Sequence, residues 1–201
     1  VTSIKPIHSL ASYLMDGVGK PDLIVDGYAS PHGFAMKPSH AKMLQNADLI
    51  FWVGEDLESF LEKPLNSIAK KAEKIELMEI KGLNKLEFRE RNIFEEHDDH
   101  GHDDNKEHGH KEDKHDDHEG HAHGEHDPHI WLDPMNAKVI LNEMAEHLIE
   151  NDAKNESKYK SNLKKALKDI DKLNADVKAE LSKSTASIVF HDAYQYFEER
   201  Y

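Results

Sequence analysis

An α/β fold built on a parallel sheet is predicted by three observations. Short apolar runs rich in β-branched residues recur between residues 1 and 78, with helical segments between them. A helix-spaced apolar stripe then extends over about 155–183, longer than one lobe needs. Beyond it, "SIVFHDAYQYFEERY" opens a new strand and a new helix with no Gly, Asn or Pro stop signal. One strand and one helix cannot bury a core. The expected organisation is therefore a first α/β lobe at 1–150, a long linking helix at 155–183, and at 184–201 the start of a second α/β lobe that is mostly absent from this chain.

Strands are expected at "VTSI" (1–4), "LIV" (23–25), "LIFWV" (49–53), "KIELM" (74–78) and "SIVF" (187–190). Their apolar residues are continuous instead of alternating, the pattern of strands covered on both faces. Helices are expected over roughly 9–19, 38–46 and 57–72, and this alternation with short connections makes the sheet parallel. In "LDPMNAKVILNEMAEHLIEN", Asp133 suits an N-cap, Pro134 the first helical position, and Ile140, Met144 and Leu148 recur at every fourth residue, so a helix is predicted over 134–150. The 155–183 helix carries Tyr159, Leu163, Ala166, Ile170, Leu173, Val177 and Leu181 as one stripe, and at 1.5 Å per residue it is about 43 Å long.

The first lobe is interrupted by an acidic, histidine-rich insertion. Residues 95–127 hold ten of the 16 histidines, with 14 Asp/Glu against 3 Lys, so they supply −11 of the formal −14 charge. So polar and charged a segment cannot offset its ordering entropy, and it is expected to be disordered without metal. The remaining −3 includes no basic stripe, which argues against nucleic acid as a partner. No run of 18 apolar residues offers a membrane span, so no direct membrane insertion is expected. The chain opens on "VTSIKP" without Met, which reads as a processed start. Zero cysteines exclude thiolate sites and disulfides, leaving imidazole and carboxylate for any transition-metal chemistry.

Six histidines lie outside the tract or at its edge. His147 sits within a helix and reads as a partly solvated residue, and His40, in a first helical turn, reads as a surface residue. His8 follows the first strand yet also begins a helix. His32 lies in the loop "GYASPHGFAMKPS", where Gly27, Pro31 and Gly33 permit tight turns that project a side chain. His129 stands where the acidic tract gives way to the apolar "IWL", and His191 ends the strand "SIVF". Three histidines at the ends of three strand-like segments would converge on one crevice at the carboxyl edge of a sheet. Three imidazoles suit tetrahedral Zn²⁺ with a fourth position open to carboxylate or water, and Asp127, Asp133 and Asp192 are the candidates to orient the rings.

These motifs have a family resemblance. "TSIKPIHSL", "ASPHGFAMKPSHAKMLQNADLIFWVGEDLESFLEKPL", "HIWLDPMNA" and "FHDAYQYFEERY", in this order around a His-rich insertion, closely resemble the periplasmic zinc-binding proteins (ZnuA type) of high-affinity zinc ABC importers. The resemblance implies two α/β lobes joined by one rigid helix, with metal in the cleft between them. It implies His32, His129 and His191 as zinc ligands, and a fourth ligand from a second-lobe carboxylate, a nearby Glu or water. Some relatives carry a ligating Glu where this chain has Pro31, so that option is closed here. Manganese-binding relatives carry Glu at the position of His191, which favours zinc as the transported ion. The implied partner is a membrane permease, the implied location periplasmic or extracytoplasmic and membrane-anchored, and the implied state a monomer without enzymatic activity.

Two other classes remain open from the residues. A zinc hydrolase could use three histidines and a water, although no HExxH is present and no motif places a general base. A metal store or chaperone could be built around the tract, whose "HGH" and "HAH" pairs set imidazoles two residues apart. In the zinc-capture reading the tract instead raises the local cation concentration near the cleft.

Overall fold

The structure, a computed structural model, describes residues 1–89, 125–181, 188–189 and 191–201. Its sheet is parallel. Strand β1 (Leu49–Trp52) pairs with β2 (Glu73–Glu76) in the register Leu49↔Glu73 to Trp52↔Glu76. Two shorter segments continue it, because Thr2 bridges in parallel to Phe51 on one side and to Leu23 on the other. Ser3 N donates to Phe51 O (3.1 Å) and Val25 N to Ser3 O (2.8 Å), so the spatial order is 23–25, 1–3, β1, β2. The expected strands at 1–4 and 23–25 are thus present only as isolated bridges, the first cut short by the start of the next helix at Lys5. All four residues of β1 are buried, as a continuous apolar run requires.

Helix α1 spans Lys5–Leu14, not 9–19, because Pro6 fits the first helical turn, where its missing N–H is no loss. Gly17, at φ 75°, lies beyond its end. Helix α2 (Pro38–Asn46) forms where expected, while α3 (Glu55–Ser67) begins two residues early and ends five residues before the expected 72. Pro64 inside α3 removes one backbone donor near its end. The expected strand 74–78 turns into a 3₁₀ segment, Leu77–Glu79, after Glu76. Helix α4 (Pro134–Asn151) has the predicted cap, with Met135 N donating to Asp133 Oδ1 at 2.8 Å.

Helix α5 (Glu156–Leu181) packs with α1 and α4, and α4 lies against β1. Of the predicted stripe, Tyr159 and Ala166 are buried and Leu163 and Ile170 partly so, but Leu173 and Leu181 are exposed. The first half of α5 therefore belongs to this core. Asn162 joins it unexpectedly, its Nδ2 donating to Leu14 O (2.7 Å) and Asp16 O (2.9 Å), which satisfies carbonyls left open at the end of α1. Ile7, Leu14, Ile50, Leu61, Ile140 and Met144 are fully buried, each contributing about 1.5–3 kcal/mol of transfer free energy.

Ser187 and Phe190 of the expected last strand lie outside the described residues, and Ile188 and Val189 between them are exposed and form no strand. Helix α6 (Gln195–Arg200) follows. Residues 95–124 of the tract expected to be disordered are likewise outside the described residues, but 125–127 are part of the fold. Phe88 N donates to Glu125 O (3.1 Å), Asp127 N donates to Leu86 O (2.9 Å), and Glu87 and His126 form an antiparallel bridge. That pairing satisfies the backbone and carries Asp127 into the interior.

Candidate metal centre

Three loops deliver one imidazole each. After the segment 23–25, Gly27 takes φ 74°, and Pro31–Gly33 forms a 3₁₀ turn closed by Ser30, whose Oγ accepts from His32 N at 3.2 Å. His129 precedes the 3₁₀ turn Ile130–Leu132, which Ile130 anchors by full burial and Asp133 joins to α4. His191 stands before α6, its carbonyl accepting from Ala193 N at 2.9 Å. The rings enclose a small space: His32 to His129 is 5.8 Å between centroids, and His191 is 5.2 Å from each. They line a cleft of about 310 Å³ at the carboxyl ends of segments 1–3 and 23–25, bordered by Lys5, Val25 and Trp131.

One ligand nitrogen from each ring lies within 4.8 Å of the others. His129 Nε2 and His191 Nε2 are 3.3 Å apart. Two nitrogens at 2.0–2.1 Å from one tetrahedral zinc are separated by about 3.3 Å, so this pair already has the spacing of two zinc ligands. His129 is buried, while His32 and His191 are exposed, an arrangement with one fixed imidazole and two on the open side.

The buried imidazole is oriented by Asp127. His129 Nδ1–H donates to Asp127 Oδ1 at 2.6 Å, and the same oxygen accepts His129 N at 2.9 Å. With the proton on Nδ1, the Nε2 lone pair faces the space shared with His191. Trp131 packs against the His129 ring at 5.3 Å. Tyr196 then ties this arrangement to α6, because its hydroxyl donates to Asp127 O (2.7 Å) and accepts from Leu86 N (3.1 Å). Burial pushes the Tyr196 phenol up to about 12, so it remains a donor throughout the neutral range.

Of the three candidate orienting carboxylates, only Asp127 takes that position. Asp133 caps α4 and receives Arg200 through Nε (2.8 Å) and Nη2 (2.5 Å), and Asp192 pairs with Arg89 at 3.5 Å. His8 bonds Pro21 O at 3.0 Å within the fold. His40, expected on the surface, is buried: its Nδ1 accepts from Lys37 N (3.1 Å) and its ring lies 5.3 Å from that of Phe34. Burial and the neighbouring Lys37 hold its imidazole below the ordinary range. Tyr196 and Arg200 were not legible as site supports, since their partners are more than sixty residues away.

The zinc-uptake complex component A periplasmic family (ZnuA) matches the chain over residues 1–201. The chain belongs to the ZnuA family. Among ZnuA relatives, the high-affinity zinc uptake system protein of Brucella abortus (strain 2308) is 47% identical over the whole chain, and that of Paracoccus denitrificans is 40% identical. The chain spans 64% and 63% of the lengths of these two relatives. A solved ZnuA crystal structure superposes with a TM-score of 0.74 at 22% identity, over 100% of this chain and 66% of that one, which shows a shared fold.

Proposed function

We propose that the protein is a zinc solute-binding protein of the periplasm that captures Zn²⁺ through His32, His129 and His191 and delivers it to the permease of an ABC importer. The observation that carries this reading is the meeting of three imidazoles from three distant loops, one of them fixed by a buried carboxylate. A capture site needs ligands that are pre-oriented but still open to solvent, and two exposed histidines beside one buried histidine supply that. In this reading residues 1–150 form the first lobe, α5 links it to a second, and the fourth coordination position is filled from that second lobe or by water. Zinc is the cargo, no chemistry is performed on it, and the protein acts as a monomer.

Competition titration of full-length protein with a fluorescent zinc chelator tests the assignment. The triple variant His32→Ala/His129→Ala/His191→Ala is expected to lose the tightest equivalent of zinc while keeping the weaker equivalents of the His-rich tract. Retention of the tightest equivalent would place high-affinity binding elsewhere.

A further inference from the structure

At the opposite, amino-terminal edge of the sheet a second group of metal-ligating side chains meets. Helix α4 carries Glu143, His147 and Glu150 at positions i, i+4 and i+7, on one face. Glu73, the first residue of β2, reaches the same point, and one ligand atom each from Glu73, His147 and Glu150 lies within 4.8 Å of the others.

The orientation of His147 gives this cluster its meaning. Its Nε2 meets Glu143 Oε1 at 3.3 Å in hydrogen-bond alignment, and because a carboxylate only accepts, the ring donates there from Nε2. In the neutral ring Nδ1 is then the lone-pair nitrogen. It is shielded from solvent and makes no hydrogen bond, yet it lies 2.8 Å from Glu73 Oε1. Asn151 holds that carboxylate in place, its Nδ2 donating to Glu73 Oε2 (3.0 Å) and to His147 O (3.1 Å). With the ring neutral, the Nδ1 lone pair and the Glu73 carboxylate are disposed as ligands that share a cation; with the ring doubly protonated they form an ion pair.

We propose that Glu73, His147 and Glu150 form a second divalent-metal site, separate from the three-histidine centre. One nitrogen with carboxylate oxygens suits a first-row divalent cation, and the exposure of both glutamates leaves room for water to complete its coordination. Such an ion would join the start of β2 to the last turns of α4. It binds more weakly than the three-histidine centre, having one imidazole where that centre has three.

The test uses full-length protein carrying His32→Ala/His129→Ala/His191→Ala, labelled with ¹⁵N-histidine and titrated with Co²⁺. Because the cleft ligands are absent from this background, the result is independent of the zinc-capture reading. The His147 ring resonances are expected to show a paramagnetic shift that is lost in Glu73→Gln and in Glu150→Gln at the same Co²⁺ concentration. His8 and His40, which report an intact fold, should move little. If His147 moves no more than His8 and His40, or keeps its shift in both glutamine variants, the cluster is an ion pair only and the proposal fails.

Discussion

His129 is the residue on which the centre turns, and its usefulness depends on a neighbour two positions away. Asp127 holds Nδ1–H at 2.6 Å and so presents Nε2 to the space shared with His191. Removing such an orienting carboxylate commonly costs 10–100-fold in metal affinity. Asp127→Ala is therefore expected to weaken the tightest zinc equivalent by about ten- to a hundredfold, with the tract's weaker equivalents untouched. Competition titration reads this directly, and an unchanged affinity would show that packing against Trp131 alone fixes the ring. The three histidines were legible because each follows a short apolar run or borders one. Choosing among Asp127, Asp133 and Asp192 was not possible, because the choice depends on Arg200 and Arg89 claiming the other two.

At the level of elements, agreement followed the strength of local signals. Helix α4 begins at its capping pair of Asp133 and Pro134, whereas α1 and α3 start early for reasons a hydrophobic stripe does not carry. The start of α3 depends on Glu58, a fully buried carboxyl whose Oε2 accepts from Val53 N (2.7 Å) and Gly54 N (3.3 Å). Burial is the main cause raising it from 4.5 to about 7, Glu76 adds to the rise, and the backbone donors and Ser3 oppose it. A carboxyl with a raised folded value keeps its proton in the fold between 4.5 and 7 while the unfolded chain has released it. Its favourable share is thus complete below 4.5 and is lost as pH climbs to about 7, a change on the order of 3 kcal/mol. Denaturant unfolding of Glu58→Gln against the unaltered protein should therefore show a stability difference that shifts toward the glutamine variant by about that amount across the window. Contributions common to both proteins cancel in the difference. A flat difference would mean that Glu58 ionises normally.

For the whole molecule, the acidic tract and the three-histidine cluster are joined through a short piece of chain. The antiparallel bridge Glu87↔His126 and the bond from Asp127 N to Leu86 O tie the end of the tract to residues 86 and 87. Composition put the end of the tract at 127, because His126 and Asp127 look like its other residues. Their backbone pairing and the burial of Asp127 make them part of the described fold. Two deletions that differ by four residues should consequently behave differently. Removal of 95–123 takes away most of the insertion's negative charge but keeps residues 125–127 against 86–88, so it should lower the number of zinc ions bound and retain the tightest one. It should also slow zinc capture at low ionic strength, with the gap closing as salt screens the lost carboxylates. Removal of 95–127 additionally deletes Asp127 and should reproduce the affinity loss of Asp127→Ala. Equal tight-site affinities for the two deletions, measured side by side by competition titration, would mean that residues 125–127 do not orient His129.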